Sequence, residues 1–181
     1  MIGKMKARYY AIADMKYDEM IACSDRIGTS AKWSLFERWV RIHKYTRMSD
    51  RYVFVNNKQK TRISDGLLKA GKLSWLKTIN TDILVELKNY KEASTVPIAQ
   101  VRDYLVYCDK KNKAINVGLK TWNKIGIRYI FSRHPGSSLN VFRREDIRWF
   151  DKGLWSKYEN CEEREIWYYN INTWKLEEYI E

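Results

Sequence analysis

The sequence predicts an α+β fold, mainly helical, with compact basic modules joined by one long helix. Three observations lead there. Leu73, Leu76, Ile79, Ile83, Leu87 and Tyr90 step by 3, 3, 4, 4 and 3 residues, which puts them in one apolar stripe on a helix. Residues 118–149 read as a short basic helix, a tight turn, two strands joined by a Gly/Ser-containing tip, and a charged helix start. Hydrophobic residues make up 45% of the chain and aromatics 14%, enough for a real core and too much for wholesale disorder.

The elements follow in order. Residues 1–70 form a basic N-terminal helical module. Its first helix, over 9–27, carries Ala11, Met15, Met20, Ile21 and Ile27 at mostly helical spacing, and Gly28-Thr29-Ser30 breaks and recaps it. A second helix over 32–45 has Leu35, Trp39 and Ile42 on one face and Lys32, Arg38, Arg41 and Lys44 on the other. RYVFV at 51–55 is β-rich and Asn56-Asn57 is a turn. Residues 71–93 are the connecting helix, and 94–152 make the second module. There Thr95, ahead of Val96-Pro97, caps a helix over 96–109. The charged run Lys110–Lys113 breaks it, and His134-Pro135-Gly136 marks a hairpin tip. Residues 153–181 are an acidic, aromatic tail. RYVF at 51–54 echoes RYIF at 128–131, so the first module reads as a degenerate copy of the second.

Thr121-Trp122, Gly126-Ile127-Arg128-Tyr129 and Phe142-Arg143-Arg144-Glu145-Asp146-Ile147 resemble the winged helix-turn-helix of the MerR/excisionase type. The resemblance covers about residues 94–152 and departs from the family pattern over 109–117, which is longer and more charged. It implies a DNA-binding module. Lys120, Thr121, Asn123 and Lys124 would lie on a helix able to enter the major groove. Arg128, Arg133 and His134 would sit on the wing, and Arg143 and Arg144 would start the last helix.

Charge supports a polyanionic partner. Lys and Arg number 34 against 22 Asp and Glu, a net charge of +12. It is segregated: residues 154–181 hold seven acids and three bases, which leaves +16 on residues 1–153. The expected activity is therefore non-enzymatic, sequence-preferring binding of duplex DNA, in regulation, replication initiation or recombination, with no cofactor. A homodimer through 73–90 or through the aromatic tail is a further expectation, and binding of an acidic protein by a viral or accessory protein is an alternative. No apolar run approaches the length of a membrane span, and the N-terminus lacks a signal-peptide pattern. Cys23, Cys108 and Cys161 form no CxxC pair and only two histidines occur, which argues against structural zinc. A cytoplasmic location follows, nucleoid-associated or, for a viral protein, in the host cytoplasm.

One enzymatic reading competes. Glu86-Leu87-Lys88 with Asp65 upstream is similar to the metal-binding core of PD-(D/E)XK nucleases, and Gln100 and Tyr104 match the Q-x-x-x-Y helix often found after it. That resemblance implies Mg²⁺ held by Asp65 and Glu86, with Lys88 positioning the attacking water. It needs 82–88 to be a strand beside Asp65, whereas the apolar stripe puts Glu86 on a helix. The six-residue stripe outweighs the three-residue motif in the sequence.

Overall fold

The computed structural model describes residues 11–45, 48–49, 52–55, 59–74, 77–79, 81–89, 98–120, 123–133 and 158–178. The architecture is mixed α/β, and the mainly helical expectation is overturned. After helices α1 (Tyr17–Ser24) and α2 (Thr29–His43) come strands β1 (Tyr52–Val55), β2 (Thr61–Ser64), β3 (Gly66–Leu68), β4 (Gly71–Ser74), β5 (Lys77–Ile79) and β6 (Asp82–Lys88). Helix α3 (Ile98–Asn116) follows, then β7 (Ile125–Phe131), β8 (Arg164–Asn170) and β9 (Lys175–Glu178). Five strands form one sheet in the order β3-β6-β7-β8-β9. The central pairs β6–β7 and β7–β8 are parallel, and the outer pairs β3–β6 and β8–β9 antiparallel. The pairs β1–β2 and β4–β5 are separate hairpins.

Two apolar layers hold the sheet. On one face Met20 of α1 and Phe36, Trp39 and Val40 of α2 pack with Ile83, Val85, Leu87, Ile130 and Tyr169. On the other, Val101, Tyr104, Leu105 and Cys108 of α3, with Phe54 of β1, pack with Leu84, Ile125, Ile127, Tyr129, Phe131 and Ile166. Strand β6 is thus buried on both sides, which explains the corrected element. A strand covered on both faces need not alternate cleanly, and Leu84, on the same side as Glu86 and Lys88, lets Ile83-Leu84-Val85-Glu86-Leu87 fill a helical template as easily as a strand. The β-branched Ile83 and Val85 favour the strand. The connecting helix expected over 71–93 is replaced by β4, β5 and β6.

The winged-helix layout expected over 94–152 is overturned with it. Helix α3 runs through Lys110–Lys113 without a break, because lysines are good helix formers and a charged run there costs nothing when it faces solvent. The stop comes at Gly118, whose φ of 76° is left-handed. The Gly118 N–H donates to the Ile115 carbonyl (3.0 Å) and the Leu119 N–H to the Ala114 carbonyl (2.9 Å), a Schellman closure. Residues 125–131, expected to include the turn and the wing, form a fully buried central strand. Gly126 is required there by close approach, since a Cβ would meet the Glu163 carbonyl oxygen at 2.6 Å. The 134–152 segment, with the hairpin tip and the last helix, lies outside the described residues. Among the described residues no helix is long and apolar enough to cross a membrane.

Asn112 locks α3 to the sheet. Its buried amide nitrogen donates to the Ile125 carbonyl (2.8 Å) and the Asn160 carbonyl (2.7 Å), and its oxygen accepts the Ile125 N–H (2.8 Å). Asn112→Ala strands buried backbone groups, each worth roughly 1–3 kcal/mol. Urea unfolding should show a loss of at least that size, whereas Lys113→Ala on the exposed side of the same helix should stay within about 0.5 kcal/mol of the parent.

Candidate active site

The site forms where the chain changes partners. Residues 61–64 pair with β1, and residues 66–68 pair with β6. Asp65 sits between the two. The register Gly66↔Val85 is the last backbone pair with β6, and beyond it the Asp65 carboxylate takes over by accepting the Leu87 N–H at 2.7 Å. Arg41 of α2 fixes the backbone here. Its guanidinium donates to the carbonyls of Ser49 (2.9 Å), Met48 (3.3 Å) and Asp65, while its Nε lies 3.3 Å from Glu37. Arg41, expected on a nucleic-acid-binding face, is thus committed to holding the Asp65 turn.

Glu86 lies one residue from that contact, on β6, and is only 4% exposed. With Leu84 it faces α3, as the alternation of a strand requires. Tyr104 donates its hydroxyl to Glu86 Oε1, and Lys88 Nζ stands 3.1 Å from Glu86 Oε2. Lys88 falls on the same face because i and i+2 share a side in a strand. Burial, and next the neighbouring Asp65 carboxylate, push the Glu86 carboxyl up to about 7, and Lys88 and the Tyr104 hydrogen bond only partly offset them. Burial, and next the Glu86 carboxylate that accepts its hydrogen bond, push the Tyr104 phenol far above its ordinary range, so it acts as a donor and never as a base.

Asp65, Glu86, Leu87 and Lys88 line one pocket of about 370 Å³ with Trp33, Ser34 and Glu37 of α2, Ile63 of β2 and Gln100 of α3. Gln100 Oε1 is buried and accepts no hydrogen bond among the described residues. Asp65 of the β2–β3 turn, Glu86 and Lys88 of β6, and Gln100 and Tyr104 of α3 therefore meet at one place. Tyr104 sits four residues after Gln100, one helical turn on, and both reach the same side of α3. Glu37 and Trp33 have the same i, i+4 relation on α2. Neither they nor Ile63 carried a sequence signal beyond that spacing.

The other predicted residues do not gather. Arg128 is buried in β7, where it pairs with Glu165 (Nη2 2.6 Å, Nε 2.7 Å), donates to the Tyr45 hydroxyl (2.9 Å) and lies over the Trp167 ring. Arg133 grips both oxygens of Asp25 at 2.8 Å. Lys124 lies 3.6 Å from Glu162, Asn123 is exposed ahead of β7, and Lys120 is exposed after α3. Arg38 is exposed on α2 and Lys44 just after its end, and the Lys32 carbonyl accepts the Asn89 side chain at 3.0 Å. Thr121, His134, Arg143 and Arg144 lie outside the described residues. Among the described residues no group of three or more His, Cys, Asp or Glu side chains converges. Comparison with protein-family models, with curated proteins and with solved structures finds no match for the chain.

The raised Glu86 pKa has a thermodynamic consequence. Folding favours the neutral acid, so ionising it opposes folding. Stability falls as pH rises from the unfolded value of 4.5 to about 7 and levels off above that. Glu86→Gln removes the charge, and its advantage over the parent should grow across that window to the order of 2–3 kcal/mol. Thermal melts in metal-free buffer between pH 4 and 8 would show it, and parallel curves for the two proteins would refute the burial of an ionisable Glu86.

Proposed function

We propose that the chain is a metal-dependent nuclease of the PD-(D/E)XK type, hydrolysing a phosphodiester of a nucleic acid. One observation carries the reading: Asp65 and Glu86 come together at the fork between β3 and β6, with Lys88 on the same strand and 3.1 Å from Glu86. Strand β6 meets the condition that the motif Glu86-Leu87-Lys88 set. The non-enzymatic winged-helix reading has less to stand on, since Lys124 leads directly into a buried strand.

The residues present fit a divalent cation. Two carboxylates share a buried place at electrostatic cost, and a cation between them would reverse that cost. The carbonyl oxygen of Gln100, buried without a donor, offers a further neutral ligand or a hold on a bound water. Mg²⁺ is commonly held by one or two carboxylates with waters and substrate phosphate oxygens completing its shell, so a third acid is not required.

Mg²⁺ bound here would polarise the phosphodiester and lower the pKa of a water. Asp65 and Glu86 hold the charge that recruits it. Tyr104 fixes the Glu86 carboxyl from the α3 side, and Lys88 orients the attacking water and faces the phosphate. The water oxygen bonds to phosphorus, the bond to the leaving ester oxygen breaks, and the water proton ends on that oxygen, giving one phosphate monoester and one free hydroxyl.

Incubation with labelled oligonucleotides and Mg²⁺ or Mn²⁺ tests this. Cleavage should stop with EDTA and fall to background in Asp65→Ala and Glu86→Ala, and Lys88→Ala should lower turnover on the order of a hundredfold or more. Binding measured in Ca²⁺ should survive Lys88→Ala. Because a proton competes with the cation for Glu86, activity at low Mg²⁺ should rise with pH toward about 7, and added Mg²⁺ should move that limb to lower pH. Cleavage that persists in Glu86→Ala would remove the proposal.

A further inference from the structure

Trp33 is 54% exposed and lines the pocket beside the carboxylates. The half-exposed indole leaves a flat apolar surface open to solvent on the pocket wall. Ile63, 50% exposed, lines the same pocket from a different element, two residues before Asp65. On the outer face of the β1–β2 hairpin it pairs directly with Val53, which is also exposed. The apolar surface thus begins within the acidic pocket and continues away from it.

We propose that Trp33 is a stacking platform for a nucleobase, with Ile63 as a second apolar wall, and that the substrate is a strand with an unpaired base at the cleavage point, as in single-stranded DNA or a frayed end. This rests on the nuclease reading for its phosphate end, and on Trp33 and Ile63 for its base end. An aromatic face beside a scissile phosphate finds no partner in intact duplex, where each base is already stacked on both sides. A flat apolar surface suits any base, so recognition is by strand state and not by sequence. A pocket of about 370 Å³ is large enough for one nucleotide. The net charge of +12 supplies attraction to a polyanion that an apolar protein ligand would not need.

Binding in Ca²⁺ reads the proposal without turnover. The probes are a fluorescein-labelled 20-nucleotide single strand of mixed sequence and the blunt duplex of the same sequence. The single strand should bind the parent protein about tenfold more tightly than the duplex. Trp33→Ala should lower single-strand affinity by about tenfold, Trp33→Phe should retain most of it, and duplex binding should change less than about twofold. A set of single strands with one abasic nucleotide moved along the chain should show one sensitive position in the parent and none in Trp33→Ala, the coupling expected of a direct stack. Equal losses on single strand and duplex, an unchanged single-strand affinity in Trp33→Ala, or self-association that buries Trp33 would overturn the proposal. Selective single-strand binding without metal-dependent cleavage would retain the stacking platform and refute the nuclease reading. Cleavage that prefers duplex and ignores Trp33 would do the reverse.

Discussion

One carboxylate, that of Asp65, lets the chain leave one strand partner for another without losing a buried hydrogen bond. Past Gly66↔Val85 no strand among the described residues pairs with β6 on that edge, yet the Leu87 N–H lies in the interior and must be paired. Asp65 Oδ2 accepts it at 2.7 Å. Arg41 completes the fork by holding three carbonyls on the far side, Asp65's among them. A side chain that substitutes for a ladder bond stays in one rotamer. It therefore presents its carboxylate to the same spot in every molecule, as a site that positions charge must.

The second constraint is the cost of Glu86. A carboxyl in the second strand of a five-stranded sheet, under a helix, is among the most expensive groups a fold can place there. Lys88 and Tyr104 reduce that cost and do not remove it, since its pKa still stands near 7. A leucine there would extend the apolar layer of Leu84, Tyr104 and Leu105 at lower cost. Carboxylates kept at a loss beside a second acid, a lysine and an open pocket are the arrangement expected where charge is used in chemistry. The half-exposed Trp33 and Ile63 add an apolar rim to the same pocket.

Parts of this were legible in the sequence. Helix α2 lies close to where its apolar spacing put it, and β1 falls within RYVFV. The residues Asp65, Glu86, Lys88, Gln100 and Tyr104 were also readable, because a motif names residue types and separations without needing the fold. What misled was periodicity. Ile83, Val85 and Leu87 face α2 while Leu84 shares the α3 side with Glu86 and Lys88, so the period of two is present in β6 but is interrupted at Leu84 and spans only seven residues. Steps of three and four then fit by coincidence. The charged run at 110–113 reads as a break in the sequence, although it is Gly118 whose left-handed backbone ends that helix. Gly126 falls within the resemblance to the winged helix, although its role is to let Glu163 approach β7. The partners of Arg128 and Arg133, Glu165 and Asp25, lie far away in sequence, so two structural cations read as a binding wing.

The central claim is that Asp65 and Glu86 together hold a divalent cation in place of a proton. Calorimetric titration of Mn²⁺ into the protein, repeated in two buffers of different ionisation enthalpy, counts the protons released on binding. At pH 6.5 one cation should bind and displace a large fraction of one proton, since Glu86 titrates near 7. At pH 8.5 binding should be tighter and release almost none, and Glu86→Gln should abolish the release at both. A proton count that is the same at the two pH values, or binding that survives Glu86→Gln unchanged, would contradict it.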